Sequence, residues 1–166
     1  MKTLLKILLL VLFAVVIFMP SNQIALWAYW SLFLFMFVVL YLYYRSSYWV
    51  SDSDVSTVYD GPIKFSVFAG KVPPMTSEDL VRGRLVVTER SVDLYQRYRN
   101  RNNGQRARLV WSVDIESIEG FTIGRVVGFR GGVTFSIADK DDARFTIFFM
   151  KSKKEALTKA LGWDED

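Results

Sequence analysis

The chain has 166 residues, is 51% hydrophobic and 16% aromatic, and contains neither Cys nor His. Those absences exclude Cys/His zinc sites, disulfides, His- or Cys-ligated haem, Ser-His-Asp triads and thiol nucleophiles, while carboxylate-bound metals stay open on composition. The net charge of +4 is a weak signal, but its placement is informative, because every acidic residue lies at position 52 or later.

Leu4 to Met19 is apolar apart from Lys6, which lies near one end and can reach back to water. With Lys2 ahead of it, the run reads either as the start of a signal peptide or as an uncleaved first helix. Pro20 to Ile24 offers no small-x-small cleavage site, and a second apolar run follows at once, which favours the uncleaved helix. That second run, 24–44, carries no charge and spans ~32 Å as a helix, matching a bilayer core of ~30 Å. Trp27, Tyr29 and Trp30 gather at its start, and Tyr41, Tyr43, Tyr44, Tyr48 and Trp49 at and beyond its end. Such rings settle at headgroup level and are the expected membrane-interface anchors. The sequence therefore predicts a transmembrane helical hairpin over 1–45, with helices at about 4–19 and 24–44 and a turn at Pro20-Ser21-Asn22. Lys2, Lys6 and Arg45 flank an uncharged turn, so the positive-inside rule places both termini in the cytoplasm. Neither span holds an Asp, Glu or Arg at depth, so the hairpin reads as an anchor rather than a transport pathway. It rests in plain lipid or offers its bulky surface to partner helices.

Polar residues over 46–60, including Ser46, Ser47, Ser51, Asp52, Ser53 and Asp54, predict a linker. Period-2 alternation then begins with Ile63, Phe65, Val67 and Ala69, and resumes after a polar excursion at Pro73-Pro74. Arg84–Thr88 and Val92–Tyr98 form strands around a Thr88-Glu89-Arg90-Ser91 turn. Leu109, Trp111 and Val113 alternate next, and glycines 120, 124 and 128 punctuate the strand after that. Val133, Phe135 and Ile137 pair with Phe145, Ile147 and Phe149 across a turn at Asp139–Asp142. The total is about seven short strands with one-sided apolar faces, an antiparallel sheet or barrel. The period then changes. Ser152 and Glu155 have capping-box spacing, Ala156, Leu157, Ala160 and Leu161 share a helical face, and Gly162 suits the stop. Such a helix would close one opening of a small barrel. Residues 164–166 form an acidic tail.

Three stretches carry a family likeness. GRLVVTERSVDLYQR at 83–97 is similar to a Gly-x-Leu-x-x-Thr strand-turn-strand signature. LVWSVDIESIE at 109–119 and the run from Gly131 to Leu161 resemble the strand after it and the last hairpin with its closing helix. Together, over about 60–163, they resemble the pleckstrin-homology-like superfold in its GRAM and bacterial PH branches. The resemblance implies a PH-like seven-stranded antiparallel β-barrel or sandwich over 61–163, capped by a C-terminal α-helix; behind the predicted hairpin this makes the expected whole a membrane-anchored α+β protein of bacterial inner-membrane type. It also implies binding rather than catalysis.

The sharpest local chemistry is RYRNRNNGQRAR, which puts Arg97, Arg99, Arg101, Arg106 and Arg108 around an Asn-Asn-Gly turn with no acid among them. Arg97, Arg99 and Arg101 have the period-2 spacing of one strand face. The cluster suits contact with anionic lipid headgroups or an acidic partner surface, or else a solvated hairpin kept soluble by its charge. PH-like domains that bind phosphoinositides usually hold their bases near the first two strands, where Lys64, Lys71, Arg82 and Arg84 are spread out. A nucleic-acid partner is not expected, since the part from Arg45 onward carries 19 Lys+Arg against 17 acids and shows no binding motif. No catalytic, metal or cofactor residue is nominated, and the Asp139–Asp142 run lacks the EF-hand pattern. The expectation is an accessory or scaffolding subunit of a larger membrane assembly, in contact with membrane lipid and with other membrane protein subunits or further copies of itself. The runner-up is a module that senses anionic headgroups through the Arg-rich hairpin.

Overall fold

The computed structural model describes residues 2–18, 25–73, 79–98 and 104–163. The chain divides into two compact units, 1–49 and 50–166.

The first unit is two helices that pack on each other, α1 (Lys2–Phe18) and α2 (Leu26–Tyr48). Lys6, near the start of α1, lies with its ammonium 6.0 Å from the ring of Tyr43, near the end of α2, so the two run antiparallel. Pro20-Ser21-Asn22, the expected turn, lies outside the described residues. α2 outlasts its expected end at 44 by one turn. Arg45 in the last turn complements the negative end of the helix dipole, and Tyr44 meets Tyr48 one turn on at 5.5 Å. At 23 residues α2 is ~35 Å long. Among the described residues it is the one helix long and apolar enough to cross a membrane, α1 being shorter.

The second unit is α+β. A short helix, α3 (Asp52–Val55), precedes seven strands: β1 (Phe65–Lys71), β2 (Val81–Val87), β3 (Ser91–Arg97), β4 (Ala107–Asp114), β5 (Ile118–Val127), β6 (Arg130–Ile137) and β7 (Ala143–Ile147). The chain ends in α4 (Lys154–Leu161). All the strands pair antiparallel in one sheet of order β4-β3-β2-β1-β7-β6-β5, so first and last strands meet in the middle and β4 and β5 are the edges. Alternate residues build the core on one face: Phe65, Val67 and Ala69, then Leu85 and Val87, Val92 and Leu94, Val133, Phe135 and Ile137, and Phe145 and Ile147. Leu157, Ala160 and Leu161 of α4 close it. Phe135 and Phe145, both fully buried, meet edge to face at 5.8 Å, and Trp111 meets Phe145 at 5.0 Å. Gly162, at φ 74°, ends α4 in the left-handed region and swings Trp163 into a stack on Phe121 at 5.6 Å.

Four local expectations change. First, α4 has no capping box. The Ser152 hydroxyl donates to the Phe149 carbonyl inside a 3-10 turn (Met150–Lys153), and Lys153 precedes the helix without a side-chain cap. Second, Leu109 and Trp111 do not share a face. A β-bulge after Leu94 sets Leu94 opposite Trp111 but Tyr95 opposite Leu109, so the extra residue Val110 turns Leu109 outward. Third, Phe149 does not continue the buried row of Phe145 and Ile147, because β7 stops at Ile147.

The fourth concerns 46–60, the expected linker. From Val50 onward this stretch is packed. Val50 and Val55 are fully buried against Val86, Tyr95 and Ala107, with Tyr59 and Ile63 beside them. They form a second, smaller apolar cluster on the outer face of the sheet, opposite the main core. α3 starts with a true capping box: the Ser51 amide donates to the Asp54 carboxylate and the Asp54 amide to the Ser51 hydroxyl oxygen.

Candidate interaction surfaces

The outer face of β1–β4 holds two polar constructions. Arg84 on β2 donates from Nε and Nη2 to the two Asp52 carboxylate oxygens, 2.6 Å each, and from Nε to Ser66 Oγ at 2.7 Å. The Asp52 carboxyl lies below the usual carboxylate range: partial burial pushes it up, but the Ser66 hydroxyl, the Arg84 hydrogen bonds and the Arg84 charge outweigh that. Arg84 thereby fastens α3 onto the sheet. Its charge-assisted, bidentate geometry is the strong form of such a bond.

Deeper on that face, Asp93 is nearly buried and is satisfied by neutral donors. The Ser112 hydroxyl donates to Oδ1 at 2.6 Å, and the Ser91 and Tyr95 hydroxyls to Oδ2 at 3.1 and 3.4 Å. Burial, the Asp93 charge, the hydrogen bond to Asp93 and Tyr59 together push the Tyr95 phenol up to about 12. Thr88 finishes the β2–β3 turn, its hydroxyl oxygen accepting from the Arg90 and Ser91 amides. This set reads as a satisfied structural network, in which every member bonds a neighbour on the sheet.

The arginine hairpin falls only partly within the described residues. Arg99 and Arg101 lie outside the described residues. Arg97 pairs with Ala107 and Gln96 with Arg108, while Tyr98 donates its amide to the Arg106 carbonyl. By that register Arg106 and Arg108 share one strand face and Arg97 points to the other. Arg106 and Arg108 are exposed, and the Arg108 guanidinium lies 5.6 Å over the Tyr98 ring. On the other unit, Trp27, Trp30 and Trp49 are exposed, and Tyr29, Tyr43, Tyr44 and Tyr48 half-buried. Tyr29 and Trp30 both contact Phe33, at 5.2 and 6.1 Å.

An open cleft of about 380 Å³ lies beside the β6–β7 turn, lined by Lys71, Trp111, Asp141, Asp142 and Arg144. Its charges are mixed and the Lys71 ammonium sits 6.0 Å from the Trp111 ring. Among the described residues no group of three or more Asp or Glu is placed to hold a metal ion.

A further set escaped the sequence reading. Phe129, Phe148 and Phe149 are almost fully exposed, at the β5–β6 turn and just after β7. Alternation assigns the last of them to the core, so pattern alone conceals it. The usable signal was the abundance of cations around them, Arg125, Arg130, Lys151, Lys153 and Lys154.

No family model and no curated protein matches the sequence. Among solved structures, the C-terminal domain of an unknown protein from Leishmania infantum is similar at 12% identity and a TM-score of 0.47, covering 66% of this chain and 92% of that one. A score at that level carries no argument about fold or role.

Proposed function

We propose that the chain is a non-catalytic, membrane-anchored binding module, with α1 and α2 in the bilayer and a PH-like domain on its cytoplasmic side. Its role is that of an accessory or scaffolding subunit in a larger membrane assembly. The observation that carries this is α2: exposed apolar side chains run along it from Leu26 to Leu42, with Trp27 76% and Leu34 69% exposed. Such a surface is unstable in water and at home in lipid or against other transmembrane helices. The PH-like assignment is supported by a seven-stranded antiparallel sheet whose core one C-terminal helix completes.

The test is extraction of the tagged chain from its native membranes. It should resist alkaline carbonate. In mild detergent it should retain a membrane protein in fixed ratio through a high-salt wash, because apolar helix packing is insensitive to screening. Replacing Trp27, Trp30, Leu34 and Phe37 together by Ala should release that protein while leaving the chain in the membrane. Release by carbonate overturns the anchor. Recovery with anionic lipid alone, lost in salt and on Arg106→Gln/Arg108→Gln, would favour a headgroup-binding hairpin over a subunit.

A further inference from the structure

Two turns carry largely exposed rings. Phe129 is 96% exposed at the β5–β6 turn, and Phe148 and Phe149 are 78% and 84% exposed directly after β7. Register brings these turns together. Gly132 pairs with Thr146, so the residues just before β6 and just after β7 leave the same end of that strand pair. Phe149 is held there at φ 56°, a left-handed conformation that a bulky side chain rarely adopts. A ring that alternation would bury is thus turned outward against backbone preference, and strain of that kind gathers where a site is used.

The two segments themselves carry charge of one sign, and Glu155, in the first turn of α4, is the first acid after the second. Arg125, Arg130, Lys151, Lys153 and Lys154 lie within 124–134 and 148–154, where there is no Asp or Glu. The Arg125 guanidinium stands 5.7 Å from the Phe129 ring, close enough for the cation and the aromatic to meet a surface together. Protruding rings set among cations fit a surface that is apolar within and anionic at its rim. A second copy of this end would bring five cations against five, and an uncharged apolar groove leaves them unused.

We propose that this end of the domain inserts into an anionic bilayer: Phe129, Phe148 and Phe149 enter the interfacial layer while the five cations meet lipid phosphates. The surface differs from the arginine hairpin. β3 ends on the Lys71 side of β1, whereas β7 ends toward its Phe65 side, so the two tips leave the sheet in opposite directions. Insertion does not require α2 to span the bilayer, although a spanning α2 keeps the domain near one.

The chain has no cysteine, so one introduced thiol takes a unique label. Full-length Phe129→Cys and Phe148→Cys, each labelled with NBD, are placed in nanodiscs of phosphatidylglycerol and phosphatidylcholine in equal parts. Asp141→Cys reports the opposite end of the domain and Leu34→Cys reports α2. Lipid-borne nitroxides should quench positions 129 and 148 several-fold more than 141. The contrast should vanish in pure phosphatidylcholine, and also when the exposed Arg125, Arg130, Lys151 and Lys154 are all changed to Gln. Equal quenching at 129 and 141, or stronger at 141, overturns the proposal. So does a blue-shifted label at 129 that lipid nitroxides fail to quench, which marks a protein partner. Quenching at 34 without quenching at 129 leaves the anchor and removes this surface. Quenching at 129 without 34 does the reverse.

Discussion

Replacing Val55 by Ala tests whether residues 50–63 belong to the folded domain or merely tether it. Val55 is fully buried, among Val50, Val86, Tyr95 and Ala107. The substitution removes two methyl groups, about 1.6 kcal/mol at ~0.8 kcal/mol per buried carbon. A cavity term adds to this, because Val86, Tyr95 and Ala107 are fixed by ladder pairing and cannot close the gap. The expected loss is about 2–2.5 kcal/mol. Urea unfolding of the full chain in detergent micelles, followed by tryptophan fluorescence, reads it directly. With a slope of about 1.5 kcal/mol per molar, the midpoint should fall by roughly 1.5 M at unchanged slope. Val58→Ala, at a partly exposed position three residues on, should cost under about 0.5 kcal/mol. Equal midpoints for the two variants would refute the packing and return the segment to a tether.

Three further predictions follow from the polar constructions and the sheet. The folded state holds the Asp52 carboxyl below its ordinary 3.8, so its contribution is present above that pH and is lost as pH falls through the folded value. Asp52→Asn should therefore lower stability at pH 7 and flatten the acid limb of a melting-temperature series below pH 3.8. The Tyr95 phenol, raised to about 12, works in the opposite range: its share is complete below pH 10 and disappears as pH rises toward 12. Beyond a constant offset, Tyr95→Phe should lose less stability than wild type between pH 9 and pH 11.5 in urea titrations. A Cβ at Gly132 would fall on the Phe145 carbonyl oxygen inside contact distance, whereas one at Gly124 meets open space. Gly132→Ala should cost more than about 3 kcal/mol or stop folded chain from accumulating in the membrane, and Gly124→Ala under about 1 kcal/mol.

The strands were legible because one face of each is buried, and alternation records that directly: Phe65, Val67 and Ala69, or Val133, Phe135 and Ile137, are core residues by position as well as by type. The terminal helix was legible in its apolar face and its stop at Gly162, but not in its start. The serine that matches a cap is used one turn earlier, inside a 3-10 turn. The covering segment 50–63 was hidden because its apolar residues are few and irregularly spaced, while the serines and aspartates that suggest a linker serve to cap α3 and to seat Arg84. A polar composition describes a tether and a capped, ion-paired strap equally well. Only the long-range partner separates them, and Arg84 stands 32 residues from Asp52.

The exposed phenylalanines show the converse limit of pattern. Alternation assumes that a strand continues, and Phe149 fits the row of Phe145 and Ile147 only on that assumption. Yet β7 has already stopped at Ile147, the row's last buried position, and at Phe149 the backbone turns left-handed. A polar residue or glycine at 149 would make the same turn with less strain. Phe is therefore poorly explained by folding. At Phe129 the argument is independent, since a ring 96% exposed contributes almost no burial to the domain. If the rings served the core, Phe149→Ser would destabilise the domain by the several kcal/mol that truncating a buried Phe costs. If they serve a surface outside the chain, Phe129→Ser and Phe149→Ser leave the urea midpoint unchanged or raise it. Stability and membrane quenching should then separate cleanly in the same two variants.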